Sequence, residues 1–179
     1  DSGGISIKPS ADMAMMKGGL YLSSALTIIL YLDMGGAAVV LSSLWGIVQL
    51  GLPLNIVAVI PLTENMPSGI ATKPGDVVVA RNGLSIEVDN TDAEGRLILA
   101  DAIHYVGSTF KPSSIIELST LTGAMDIALG EGYAGVFSTS DELWTSLKKA
   151  GEEANDEFWR MPLSEDHYAH QIKSNVADL

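Results

Sequence analysis

From residue 33 onward the chain alternates between two apolar rhythms, and that alternation limits the available folds more than any other feature. MGGAAVVLSSLWGIVQL sets Ala37, Val40, Leu41, Leu44, Ile47 and Val48 at helical spacing, and Gly51-Leu52-Pro53 stops the run. NIVAVIPL follows as a short continuous apolar stretch, the pattern of a strand covered on both faces. GDVVVARNGLSIEVD carries Asn82-Gly83 between two β-rich runs, the local signal of a hairpin. A helix is predicted from about Ala93 to Val106, with Leu97, Ala100, Ile103 and Val106 facing inward. SSIIELSTLTG reads as a second buried strand, followed by a short MDIAL helix and a YAGVF strand. DELWTSLKKAGEEA is an amphipathic helix with Leu143, Leu147 and Ala150 on its apolar side. Strand, helix, strand, helix in this order predicts an α/β fold, a layered mixed β-sheet flanked by helices. No repeat or long polar linker interrupts it, so residues 1–179 are expected to form one domain. In such sheets sites gather at the carboxyl ends of strands, where the loops at 90–96 and 119–123 fall.

Composition narrows the partners. The formal charge of −12, from 22 acidic and 10 basic side chains, disfavours nucleic acid and anionic membranes, because little basic surface is present to displace counterions. With no cysteine there are no disulfides and no thiolate metal sites. Residues 19–32, GLYLSSALTIILYL, are apolar but only 14 long, and a spanning helix needs about 20. A soluble protein is expected.

The stretch NTDAEGRLILADA at residues 90–102 puts Asp92, Glu94 and Arg96 on alternate positions where a helix begins. Its spacing is close to a calcium loop of the EF-hand type. However, Asn90 stands first, Asp101 stands twelfth, and the incoming segment reads as a hairpin rather than a helix. An ordinary acidic helix start is the stronger rival, since Asp caps free N–H groups and Glu complements the helix dipole. Two further acidic stations sit beside glycine turns: Asp33 in DMGGAA, and Asp1 in DSGGISIK with Lys8 behind it. Several carboxylates can bridge two divalent ions about 3.5–4 Å apart, while a nearby Lys and Arg stabilise an oxyanion or hold an anionic proton carrier. The histidines fit less well. His104 lies in the predicted helix, and His167 and His170 read as a surface pair.

These motifs resemble the leucyl aminopeptidase family, the dinuclear metal exopeptidases of the M17 type. DSGGISIKPSADMAMMK, DMGGAA, PLTENMPSG, KPGDVV, NGLSIEVDNTDAEGR, TLTGAMDIALG and WRMPL all look like blocks of that catalytic domain, in its order. The resemblance implies two divalent ions (zinc, or manganese or magnesium) held by Asp1, Asp33, Asp92 and Glu94. It implies a catalytic Lys8 that stabilises the oxyanion, and an Arg96 that holds bicarbonate as proton carrier. Met16, Thr120, Leu121 and Gly123 match positions that line the pocket for the first side chain. Peptides with a free amino terminus, a cytoplasmic location and a homo-hexamer are likewise implied.

Two departures from the family pattern are expected to matter. A metal-binding lysine and an amino-terminal domain precede DSGG in the family, and further catalytic-domain segments follow NVADL. Residues 19–32 separate MMKG from DMGG, which are nearly adjacent in the family. The insert reads as foreign to the fold. The competing expectation is therefore a catalytically impaired, truncated or degenerate paralogue serving as a binding or assembly subunit.

Overall fold

The computed structural model describes residues 34–179. The expectations for Asp1, Lys8, Met16, Asp33 and the 19–32 insert lie outside the described residues. The class is α/β, with two two-stranded ladders among the described residues. The described residues divide into two compact units, residues 34–121 with 174–179, and residues 122–173.

In the first unit, α1 (Gly35–Gln49) ends where expected, and the Leu50 N–H closes it on the Gly46 carbonyl. Its covered stripe is narrower than the spacing predicts. Val40, Leu44 and Ile47 are half-buried, whereas Leu41 and Val48 face solvent. The predicted hairpin is present. β1 (Asp76–Val79) pairs antiparallel with β2 (Ser85–Val88), from Asp76 opposite Val88 to Val79 opposite Ser85. The Gly83 N–H donates to the Ala80 carbonyl at 2.8 Å, and Gly83 has φ +92°, the conformation that Asn-Gly sequences supply cheaply.

A third segment joins this hairpin. The Leu179 N–H donates to the Ser85 carbonyl at 3.1 Å, and the Glu87 N–H donates back to the Leu179 carbonyl at 2.9 Å. Ser85 and Asp178 exchange side-chain bonds: the Ser85 N–H and hydroxyl donate to Asp178 Oδ2 at 2.8 and 2.7 Å. The Ser174 hydroxyl donates to Glu87 Oε2 at 2.5 Å. Residues 174–179 thus lie along β2, a pairing across about ninety residues that no local pattern announces.

α2 (Glu94–Phe110) runs four residues past its predicted end, to Lys111 with φ 48° just before Pro112. Its inward face differs in part. Leu97 and Val106 are half-buried as expected, and Ile98, Ala102 and Tyr105 join them, but Ala100 and Ile103 are exposed. The hairpin turn decides this rotation. The Arg81 N–H donates to Asp101 Oδ1 at 2.7 Å, and the Arg81 guanidinium lies 5.0 Å from the centre of the Tyr105 ring. Asp101 and Tyr105, an i,i+4 pair, therefore face the hairpin.

Neither NIVAVIPL nor SSIIELSTLTG belongs to a ladder among the described residues, contrary to expectation. Ile56, Val57, Ile115, Ile116 and Leu118 are exposed. Hydropathy marks a segment that favours cover, but burial needs a neighbour to provide it. Val88 is the one buried large hydrophobic side chain among the described residues.

The second unit is a βαβ arrangement. α3 (Ala124–Leu129) leads to β3 (Ala134–Val136), then α4 (Asp141–Ala154), then β4 (Phe158–Arg160) parallel to β3. α3, β3 and α4 match the sequence reading, whereas β4 in WRMPL was not foreseen. Ser140 caps α4, its hydroxyl accepting from the Leu143 N–H at 3.2 Å. Leu143 and Leu147 are half-buried, but Ala150 is exposed and Gly151 takes the covered place. The Asp156 carbonyl and the Phe158 ring close on Gly151 and leave no space for a methyl group. Arg160 binds β4 to α4, with Nη1 2.7 Å from Asp141 Oδ1. α5 (Glu165–Tyr168) follows.

Candidate active site

β2 delivers the chain directly into Asp89-Asn90, and a 3₁₀ turn, Thr91–Ala93, precedes α2. The turn is capped by Asn90: its Oδ1 accepts from the Asp92 N–H at 2.9 Å, while its carbonyl accepts from the Ala93 N–H at 3.1 Å. Ala93 occupies the N-cap position of α2 and provides no side-chain cap. The side-chain cap of the turn is thus supplied by Asn90, and the N-cap residue of α2 supplies none. Glu94 in the first turn still complements the helix dipole. The β1–β2 hairpin ahead of the turn disposes of the EF-hand alternative, which needs a helix there.

Glu94 is half-buried and held from a distance in sequence. Asn65 Nδ2 donates to Glu94 Oε2 at 3.0 Å and to the Thr91 carbonyl at 3.1 Å. Asn65 belongs to PLTENMPSG, and the sequence reading did not single it out. A polar side chain in a Pro- and Gly-rich loop was the available signal, but nothing local identifies its partner. Arg96 is exposed, and it has no ion-pair partner among the described residues.

The segment 118–121 touches the starts of both helices. Leu121 Cδ1 lies 3.1 Å from the place a β-carbon on Gly95 would take. Thr120 Cγ2 lies 2.8 Å from the corresponding place on Gly35, and the backbone of Leu118 and Ser119 closes on Gly36. Gly35 and Gly36 are buried, so the glycines of DMGG are a packing seat for this segment. Thr120 and Leu121 thereby join Asp92, Glu94 and Arg96 in one unit. Gly123 heads α3 in the other.

As ligands, Asp92 and Glu94 offer the hard oxygens that divalent ions prefer, and Asn65 already orients one of them. They suit a divalent ion in chemistry. Among the described residues no group of three or more His, Asp or Glu gathers that could hold such an ion. His104, His167 and His170 are all exposed, in keeping with a surface role.

The chain is similar to known proteins. The profile of the cytosol aminopeptidase family, catalytic domain, matches residues 1–179. The cytosol aminopeptidase of Dictyostelium discoideum is 54% identical over 179 residues, 100% of this chain and 32% of that one. That of Bos taurus is 56% identical over 172 residues, 96% of this chain and 30% of that one. The chain thus spans about a third of the length of the curated relatives it matches. A mutant tomato leucine aminopeptidase superposes with a TM-score of 0.74 at 44% identity, over 82% of this chain and 29% of that one. The bottromycin maturation enzyme BotP in complex with Mn gives a TM-score of 0.73 at 38% identity, over 82% of this chain and 32% of that one.

Proposed function

This chain belongs to the cytosol aminopeptidase family, M17, and on that premise we propose that it carries part of the site of a metal-dependent aminopeptidase. The reading is that Asp92 and Glu94, together with Asp1 and Asp33, hold two divalent ions. Zinc, manganese or magnesium suits these oxygen donors, and a neighbour's complex with Mn supports the use of such an ion. When bound, a pair of such ions lowers the pKa of a shared water and polarises a carbonyl.

The remaining work falls to the chain's own side chains. Lys8 stabilises charge developing on the oxygen of the first peptide carbonyl. Arg96 holds an anionic proton carrier, for which bicarbonate has the right charge and shape for a bidentate guanidinium. Thr120 and Leu121 border the pocket for the first side chain, with Met16 and Gly123. Substrates are peptides with a free amino terminus and a leucine-type first residue. The names of the relatives support a cytoplasmic location, and no described helix is long and apolar enough to cross a membrane. Assembly into a homo-hexamer belongs to the same proposal.

One observation carries the reading. The Asn90-capped turn puts Asp92 and Glu94 two residues apart at the start of α2, and Asn65 holds the Glu94 carboxylate. Leucine-amide hydrolysis by the intact protein, with Mn²⁺ or Zn²⁺ titrated in, is the test. Metal-dependent turnover that Glu94→Gln abolishes supports the proposal. Metal binding without turnover would favour a binding or assembly subunit instead.

A further inference from the structure

We propose that Asn65 is the positioning residue that sets the Glu94 carboxylate for a divalent ion, an inference that rests on the metal-dependent reading above. One side-chain amide donates both its hydrogens: to Glu94 Oε2 at 3.0 Å and to the Thr91 carbonyl at 3.1 Å. Both partners only accept, so the amide has one orientation that satisfies them, and its Oδ1 could replace neither bond. The two acceptors flank Asp92 in the chain. A single group therefore grips the ligand turn on either side of one carboxylate and by the other.

The bond to Glu94 joins a neutral donor to an ionised acceptor in a half-buried place, the stronger kind of hydrogen bond. It fixes the rotation of the carboxylate before an ion arrives, so less freedom is lost on binding. Partners of this kind, outside the ligand shell, are worth about 10–100-fold in metal affinity. Asn65 lies 29 residues before Glu94, so the PLTENMPSG loop acts on the site through this amide.

The test is a Mn²⁺ titration of the intact protein, following free Mn²⁺ by electron paramagnetic resonance, on the natural chain, Asn65→Leu and Glu94→Gln. Asn65→Leu keeps the volume and removes both donors. Its Mn²⁺ dissociation constant should rise by about 10–100-fold. Hydrolysis lost at low Mn²⁺ should return as Mn²⁺ is raised, with KM for leucine amide at saturating metal unchanged. A role in folding alone would not produce that metal-dependent recovery. If Asn65→Leu does not fold, Asn65→Ser, whose hydroxyl is too short to reach Oε2, gives the same reading. Natural Mn²⁺ affinity in a folded variant, beside a Glu94→Gln that has lost it, overturns the role of Asn65 alone. A natural chain that binds no Mn²⁺ overturns both this role and the function it rests on.

Discussion

Gly36 lies against the carbonyl of Leu118, with no room between them for a β-carbon. The obstacle is backbone, including the Ser119 α-carbon at 2.5 Å from the place a β-carbon would take, and backbone cannot step aside as a side chain can. This contact seats the 118–121 segment on the start of α1, while Leu121 reaches Gly95 at the start of α2. Two helix starts and one loop are thereby locked into a common geometry.

A graded series of alanine substitutions tests that lock. Gly36→Ala should destabilise by about 1–3 kcal/mol or more, as overpacking does. Gly35→Ala should cost less, because its obstacle is a side chain, Thr120, rather than backbone. Gly46→Ala, in the middle of α1 with open space around it, should stabilise by about 0.5–1 kcal/mol. Denaturant unfolding of the three variants checks the order, and a Gly36→Ala as stable as the natural chain would refute the close packing.

Substitution at the acidic turn should separate chemistry from folding. Glu94→Gln and Asp92→Asn are expected to lower hydrolysis by about 100-fold or more, since several kcal/mol of transition-state stabilisation are at stake and each 1.36 kcal/mol is tenfold. Glu94→Gln should also cost some stability in the absence of metal, because it weakens the bond from Asn65, but the protein should stay folded while hydrolysis is lost. Steady-state kinetics and thermal melts measure the two effects independently.

The segment lying on β2 should respond to acid. Two bonds from Ser85, hydroxyl first and then backbone N–H, hold the Asp178 carboxyl below the usual aspartate range against a smaller opposing effect of desolvation. The folded pKa is thus lower than the unfolded one. The stability it lends is present above the ordinary aspartate range and is lost as pH falls through the depressed value. An NMR titration should show Asp178 with a low midpoint, and Ser85→Ala should raise it. A midpoint unmoved by that substitution would show that the bonds are not made in solution.

Ser140→Ala removes the hydroxyl that caps α4 and should cost about 1 kcal/mol in unfolding free energy. The exposed pairs Lys148–Glu152 and Lys149–Glu153, at 3.7 and 3.9 Å, should each contribute well under that, about 0.3–0.5 kcal/mol. Urea unfolding of Ser140→Ala and Lys148→Ala decides whether the cap outweighs the ion pair.

For residues 19–32 we propose that deletion, which brings MMKG up to DMGG, speeds hydrolysis by the intact protein. The motive is geometric, since a misplacement of about 1 Å can cost roughly 10²-fold in rate. Equal rates with and without the segment would show that it is tolerated.

What was legible in the sequence was local. Asn82-Gly83 announced the hairpin because a positive φ at one residue is a property of that residue and its turn. The periods of α1, α2 and α4 announced helices because side chains three and four apart share a face. The acidic turn at Asp92 and Glu94 was visible as chemistry for the same reason. The tertiary structure alone decided which face of α2 turns inward, since Asp101 and Tyr105 meet Arg81 across the fold. It also decided that Asn90 caps the turn, that Asn65 holds Glu94, and that residues 174–179 lie along β2. A turn or a helical period is settled by atoms a few bonds apart. The partner of a hydrogen bond or the cover of an apolar run depends on which distant segment arrives, and one chain's pattern does not specify that.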